Sequence, residues 1–208
     1  PRSTGSILKP FLYAGCFDEG ILLPDMLVPD YPMYFGSFSP HNYTEDYSGA
    51  LPAYLALARS RNVPAAYLLR KYSHIRFLHL LKGLGMTTLN YAADHYGLTL
   101  ILGGAEGTLW DIAGMYAGLG RNLLHYNQQD GLYRPNNFFK LSYLQDEVAH
   151  RAVAKNYSET ADEFSAGAIY TTIKAMQQVS RPGIESYWRQ FGDVPVAWKT
   201  GTSYGFRD

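Results

Sequence analysis

What is scarce in this sequence narrows its chemistry first. It holds a single cysteine, Cys16, so no disulfide can close within the chain, and the redox compartment stays open. No run approaches the roughly 18 apolar residues that a bilayer-spanning helix needs, and no secretory leader is recognisable at the N-terminus. Net charge is also missing: 18 basic and 18 acidic residues cancel, which gives no electrostatic basis for a nucleic-acid partner. There is no H-E-x-x-H. His74 and His79 are five apart and do not share a helical face, while His41, His95, His125 and His150 are scattered. A metal-dependent hydrolase is disfavoured, and the histidines read as surface or core residues.

What is present suits a folded domain. The chain has 208 residues, 47% of them hydrophobic, enough for a core and for one domain or most of a larger one. Its 18 tyrosines are numerous and could serve carbohydrate contact, but packing and loop anchoring account for most tyrosines in a domain. The chain opens on Pro1 and stops at Asp208, within what reads as a hairpin. The expectation is a domain cut at both ends, with any anchor or partner domain outside it.

Residues 6 to 19 read as a helix with Leu8, Phe11, Leu12 and Phe17 on one apolar face. Pro10 fits its first turn, where N–H groups lack internal partners, so the spacing predicts a start near Ser6. Residues 24–49 mix prolines, glycines and aromatics and read as an irregular connector. A short helix over 50–59 and another from Val63-Pro64 toward Lys71 predict a tight loop at Ser60-Arg-Asn62. A third helix is expected over 74–83, a small-residue apolar one after Thr108, a polar irregular stretch over 121–160, and a helix over 165–178 that Arg181-Pro-Gly183 stops. From Val194 to Phe206 the pattern alternates and predicts a strand leading into a turn.

Three short strings carry chemistry. Ser6-Ile-Leu-Lys9 puts a nucleophile and a base three apart on one helical face, beside the partial positive charge of a helix start. A lysine acts as a base only when burial lowers its pKa. Ser60 and Asn62 sit two apart in a tight loop, a hydroxyl for proton relay beside a carboxamide that both donates and accepts; alone they read equally as helix caps. In Lys199-Thr-Gly-Thr202, Gly201 in a strand marks close approach of another backbone. The Lys199, Thr200 and Thr202 side chains suit a carboxylate, and the Thr202 and Ser6 N–H groups could form an oxyanion hole. Singly, each string has a bland reading as a chance match, a cap or a strand end. In this order, with Ser60 54 residues after Ser6 and Lys199 139 after Ser60, they point to acyl transfer.

The trio, with Arg2-Ser-Thr-Gly5, Ser39-Pro-His-Asn-Tyr43, Ala56-Leu-Ala-Arg59, Val63-Pro-Ala65 and Ile101-Leu-Gly-Gly-Ala105 around it, resembles the transpeptidase domain of class A, bifunctional penicillin-binding proteins along the whole chain. Arg181-Pro-Gly-Ile-Glu185, Trp188 and Ala197 to Asp208 look most like the 1C type. The resemblance implies an α/β fold of the transpeptidase and serine β-lactamase kind. Here that is a mostly helical partial domain over 1–208, with the K-T-G strand at its C-terminal end and one of the usual five sheet strands. It implies that Ser6 attacks the D-Ala-D-Ala carbonyl of a peptidoglycan stem peptide, with Lys9 as base and Ser60 as proton relay. Asn62 would hold the donor peptide, and Lys199, Thr200, Gly201 and Thr202 would bind its carboxylate end. β-Lactams would acylate Ser6 by the same route. No metal and no organic cofactor is implied. The implied setting is the bacterial periplasm, with a glycosyltransferase domain and an inner-membrane anchor outside this chain.

Three other readings stay open. A class A β-lactamase needs a carboxylate after the second string to activate water, and between Asn62 and Glu106 the single acid is Asp94. A D,D-carboxypeptidase differs only in its acceptor, and a penicillin-sensing scaffold would keep the fold without turnover.

Overall fold

The structure is a computed structural model that describes residues 1–138, 157–179 and 195–202. Its axis is helix α1, Lys9–Asp18, in which every residue from Lys9 to Cys16 is buried. The single apolar face expected there is replaced by burial all round, because α2 (Ala53–Ala58), α3 (Asn62–Tyr72) and the late helix α7 (Ala166–Met176) pack around α1. A helix enclosed on its sides has no face to give to water. α1 also starts later than expected. Pro10 lies in its first turn, but Ser6 stands one turn earlier, where Ile7 N–H donates to Thr4 O and Lys9 N–H to Ser6 O.

The loop between α2 and α3 lies where the helix spacing put it, but α2 is shorter than 50–59. Gly49–Pro52 instead forms strand β3, paired antiparallel with β2, Leu27–Asp30. The connector over 24–49 is therefore not irregular throughout. Pro29 is tolerated in β2 because a two-stranded ladder leaves one edge of each strand unpaired.

Helix α4, His74–Gly83, has the expected bounds. The chain then runs through α5 (Ala93–Tyr96) and a 3-10 turn (Gly97–Ile101) to β4, Glu106–Gly107, which pairs with β1, Arg2–Ser3. Helix α6, Leu109–Gln128, is capped by Thr108, whose hydroxyl accepts from Asp111 N–H. It overturns the irregular reading for 121–128. The polar residues that suggested a loop are spent on tertiary contacts: Arg121 Nε donates to Asn137 O at 2.8 Å and Asn122 Nδ2 to Phe164 O at 3.2 Å. Residues 139–156 of that expected stretch lie outside the described residues. α7 lies within the helix expected over 165–178, with Ser165 Oγ accepting from Ala168 N–H as its N-cap, while Arg181-Pro-Gly183 and Trp188 lie outside the described residues.

Pro195–Thr202 is neither helix nor strand. A strand exists only against a hydrogen-bonding neighbour, and among the described residues this segment has no ladder partner; the rest of the expected hairpin, from 203 on, lies outside them. Where one strand was expected, the described residues hold four, in two separate two-stranded ladders, β1–β4 and β2–β3. Phe11, Leu12, Leu57, Leu69, Phe77, Leu81, Leu100, Ile101 and Ile169 are fully buried around α1. Each such side chain contributes about 1.5–3 kcal/mol relative to exposure. The fold is α/β and mostly helical.

Candidate active site

Lys9 is the centre of the site. It opens α1, is fully buried, and its Nζ donates to Ser60 O at 2.7 Å, Arg61 O at 3.2 Å and Asn62 Oδ1 at 2.7 Å. An ammonium has three protons, and all three go to the loop between α2 and α3. Burial, and secondly the charge of Lys199, hold the Lys9 pKa well below the ordinary lysine range. Two unit charges 4 Å apart repel by about 4 kcal/mol at an effective dielectric near 20, so a neighbouring cation lowers a lysine pKa in the same direction as burial does.

Lys199 approaches from the other side. Its Nζ donates to Ser60 Oγ at 2.6 Å and to its neighbour's carbonyl, Thr200 O, at 2.7 Å. Ser60 is thus held between two amines, its carbonyl on Lys9 and its hydroxyl on Lys199. Its backbone takes φ +55°, the left-handed region that a serine seldom adopts. Asn62 is the first residue of α3. Its Oδ1 accepts from Lys9 and its Nδ2 donates to His41 O at 2.8 Å, which leaves one proton and one lone pair for a ligand.

Ser6 is half-buried in the turn that leads into α1. A Cβ built on the preceding Gly5, at φ +51°, would stand 2.5 Å from Thr202 O and 2.8 Å from Thr202 N. Only glycine allows that approach. A Cβ on Gly201 would likewise strike Ile7 Cγ2 at 2.8 Å. Gly5, just before the first string, and Gly201, within the third, therefore let the two come together, which brings the Thr202 backbone against the residue before Ser6. Thr200, Gly201 and Thr202 are otherwise exposed. The same turn is pinned from α6, where the buried Tyr116 hydroxyl donates to Ile7 O at 2.7 Å.

The structure thus brings Ser6, Lys9, Ser60, Asn62, Lys199, Thr200, Gly201 and Thr202 into one place. One expected contact is not drawn as it was read. Lys9 Nζ is spent on the Ser60–Asn62 loop, and it meets the Ser60 carbonyl, not the hydroxyl. A neutral Lys9 has two protons and a lone pair, so it keeps two of the three contacts as hydrogen bonds, and its lone pair can take the Ser6 proton at the expense of the longest, that to Arg61 O at 3.2 Å. Sequence reasoning missed Asn42, Arg61 and Tyr116. Arg61 had read as the spacer of Ser60-Arg-Asn62, and Tyr116 as one tyrosine among many.

A profile of the penicillin binding protein transpeptidase domain matches residues 1–208. The chain belongs to the penicillin-binding protein transpeptidase family. Among relatives of this family it is similar to penicillin-binding protein 1C of Escherichia coli K12, with 34% identity over the whole chain and 24% of that protein. To penicillin-binding protein 1A of Clostridium acetobutylicum it is 31% identical over 97% of the chain and 25% of that protein. The chain spans about a quarter of the length of these relatives. In fold it is similar to crystal structures of penicillin-binding protein 1A from Haemophilus influenzae and of a peptidoglycan glycosyltransferase from Burkholderia ambifaria. The first has TM-score 0.66 and 18% identity, covering 97% of this chain and 34% of that one. The second has TM-score 0.67 and 16% identity, covering 98% and 64%. Among the described residues, no helix of this family member is long and apolar enough to cross a membrane.

Proposed function

We propose that this chain is the acyl-transfer part of a peptidoglycan D,D-transpeptidase, with Ser6 as nucleophile and Lys9 as its base. The observation that carries the reading is the fully buried Lys9, its pKa lowered by burial and then by Lys199, one turn from Ser6 and bonded to the loop of Ser60 and Asn62. Ser6 Oγ attacks the carbonyl carbon of the penultimate D-Ala as Lys9 takes the hydroxyl proton. The N–H groups of Ser6 and Thr202 receive the oxyanion. Ser60 Oγ, hydrogen-bonded to Lys199, relays the proton to the departing D-Ala nitrogen, and the C–N bond breaks. An amine of a second stem then displaces Ser6 from the ester, its proton returning through Lys9.

Lys199, Thr200 and Thr202 bind the terminal carboxylate at the exposed side, Gly201 lets the peptide backbone come close, and Asn62 holds the donor with its remaining proton and lone pair. A β-lactam presents the same carbonyl and carboxylate and leaves an acyl group on Ser6. We further propose that the chain is one domain of a longer periplasmic protein carrying a membrane anchor and a glycosyltransferase domain. Asp94, the acid a hydrolytic β-lactamase reading would need, is 89% exposed and hydrogen-bonded to His74 at 2.9 Å, which favours slow release of the acyl group.

The test is intact-mass spectrometry of the full-length protein after incubation with a penicillin. The expected result is one adduct that maps to Ser6 and is abolished in Ser6→Ala. An adduct that persists in Ser6→Ala removes the proposal.

A further inference from the structure

The three acceptors on Lys9 belong to a strained turn, so something outside it must hold it in place. Arg61 is the N-cap residue of α3, yet its side chain does not cap the helix. The cap comes from Asn42 instead. Asn42 Oδ1 accepts from Asn62 N–H at 2.9 Å and from Val63 N–H at 3.4 Å. Its Nδ2 donates to Asp30 Oδ1 at 2.6 Å and Asp46 O at 2.9 Å, so both ends of a 3% exposed amide are used and its orientation is fixed.

Arg61 turns its side chain the opposite way from Lys9. Its guanidinium forks onto Asp46, with Nη1 donating to Oδ1 at 2.5 Å and Nη2 to Oδ2 at 3.1 Å, and Nη1 also reaches Asp46 O at 3.1 Å. Its Nε lies 3.5 Å from Oδ2 of the fully buried Asp30, which also accepts from Ser48 N–H at 3.1 Å. The Arg61 guanidinium, and then the Thr44 hydroxyl, hold the Asp46 carboxyl well below the usual carboxylate range. Meanwhile Arg61 O accepts from Lys9. One residue thus ties the connector of residues 30–48 to the base.

We propose that Asn42 and Arg61 form a clasp that holds the Ser60–Asn62 turn, and with it the acceptors of Lys9, in register with Ser6. They are positioning residues for acyl transfer. The side chains of Asn42, Arg61, Asp30 and Asp46 make no hydrogen bond to Lys9 Nζ; they act through the turn. The inference rests on the proposed role of Lys9, and its test separates the two.

The variants are Arg61→Lys, which keeps the charge but loses the fork, Asn42→Ala, and Asp46→Asn, the mildest because Asp46 is 61% exposed. Two quantities are read on the full-length protein. The first is hydrogen exchange at the Asn62 and Val63 amides, which no intrahelical acceptor protects. The second is acylation by a penicillin, resolved into non-covalent affinity and acylation rate constant. Leu81→Ala, a core change in α4, is the control for lost stability.

The expected result is exchange at those amides faster by about tenfold or more. With it, the acylation constant falls about 10- to 100-fold for Arg61→Lys and Asn42→Ala, and severalfold for Asp46→Asn, as for a small misplacement of a reacting group. Affinity stays within about threefold. Unchanged exchange, or faster exchange with unchanged acylation, overturns the clasp. So does an acylation loss no greater than that of Leu81→Ala at equal melting temperature. If the unsubstituted protein forms no Ser6 adduct, the functional reading falls, and exchange alone decides whether the clasp holds the turn: faster supports it, unchanged overturns it.

Discussion

The two lysines of the site are built in opposite ways. Lys9 is sealed inside α1's packing, its Nζ set among three fixed backbone and side-chain acceptors, and burial has lowered its pKa. Lys199 is half-buried between exposed neighbours, in a segment without ladder partners among the described residues, and its Nζ donates to Ser60 Oγ and to Thr200 O. A base must be dry to be neutral at physiological pH, whereas a carboxylate receptor must be charged and reachable. In the proposed mechanism the same residue type serves both ends, because burial, and secondly the charge of Lys199, lowers the pKa of Lys9.

Lys9→Ala is the sharpest break in that contrast. It removes the base and strands Ser60 O, Arg61 O and Asn62 Oδ1. Ser6 acylation is expected to fall about 10³-fold or more, with a lower melting temperature, since each stranded buried acceptor costs about 1–3 kcal/mol. Acylation kinetics followed by mass spectrometry check this, and a loss below tenfold would mean another group takes the proton. The pH profile comes next. A depressed Lys9 pKa predicts an acylation constant that rises about tenfold per pH unit and levels off below the ordinary lysine value near 10.4. Folding carries the matching sign. The unfolded lysine holds its proton to higher pH than the folded one, so stability from this group rises with pH between the two values and is lowest below the folded one. A plateau reached only above 10.4 contradicts the buried-base reading.

On the exposed side, Lys199→Ala should act on recognition. Losing a charge-assisted hydrogen bond of about 1.5–3 kcal/mol predicts roughly 10- to 100-fold weaker penicillin capture, mainly in the non-covalent step. Stopped-flow separation of affinity from acylation tests that; a loss confined to the chemical step would give Lys199 a different part. Gly5→Ala tests the contact between the two sides. A Cβ 2.5 Å from Thr202 O, at φ +51°, should cost about 1–3 kcal/mol and slow acylation by about tenfold. Thermal melting and penicillin labelling read both, and unchanged values of each would mean that the two strings part freely. Asp94→Asn is the smallest: acyl-enzyme lifetime should change by less than about twofold, and a marked lengthening revives the β-lactamase reading.

Local chemistry was legible in the sequence and distant chemistry was not. Helix α4 and the helix over 165–178 announce themselves through their own local pattern. The loop at Ser60-Arg-Asn62 followed from Pro64 in the next first turn. The start of α1 was misjudged because nothing local shows that Ser6 sits in a separate turn pinned by Tyr116, 109 residues away. α6 outran its expected end because Arg121, Asn122 and His125 look like loop residues until their partners across the fold are known. Among the site residues, all three strings could be named, by their order, their spacing and their resemblance to the family's motifs together. The cap on α3 could not, since Asn42 lies 20 residues before Asn62 and leaves no capping signature next to the helix.

The three bonds on Lys9 close loops of 51 to 53 residues, and the bond between Lys199 and Ser60 closes one of 139. Loop closure lowers chain entropy before it returns any contact energy, so these pairings belong late in folding. If Ser6 and Lys9 act as proposed, the nucleophile is activated only once contacts between residues 50 or more apart in sequence have formed, so activity reports on long-range folding.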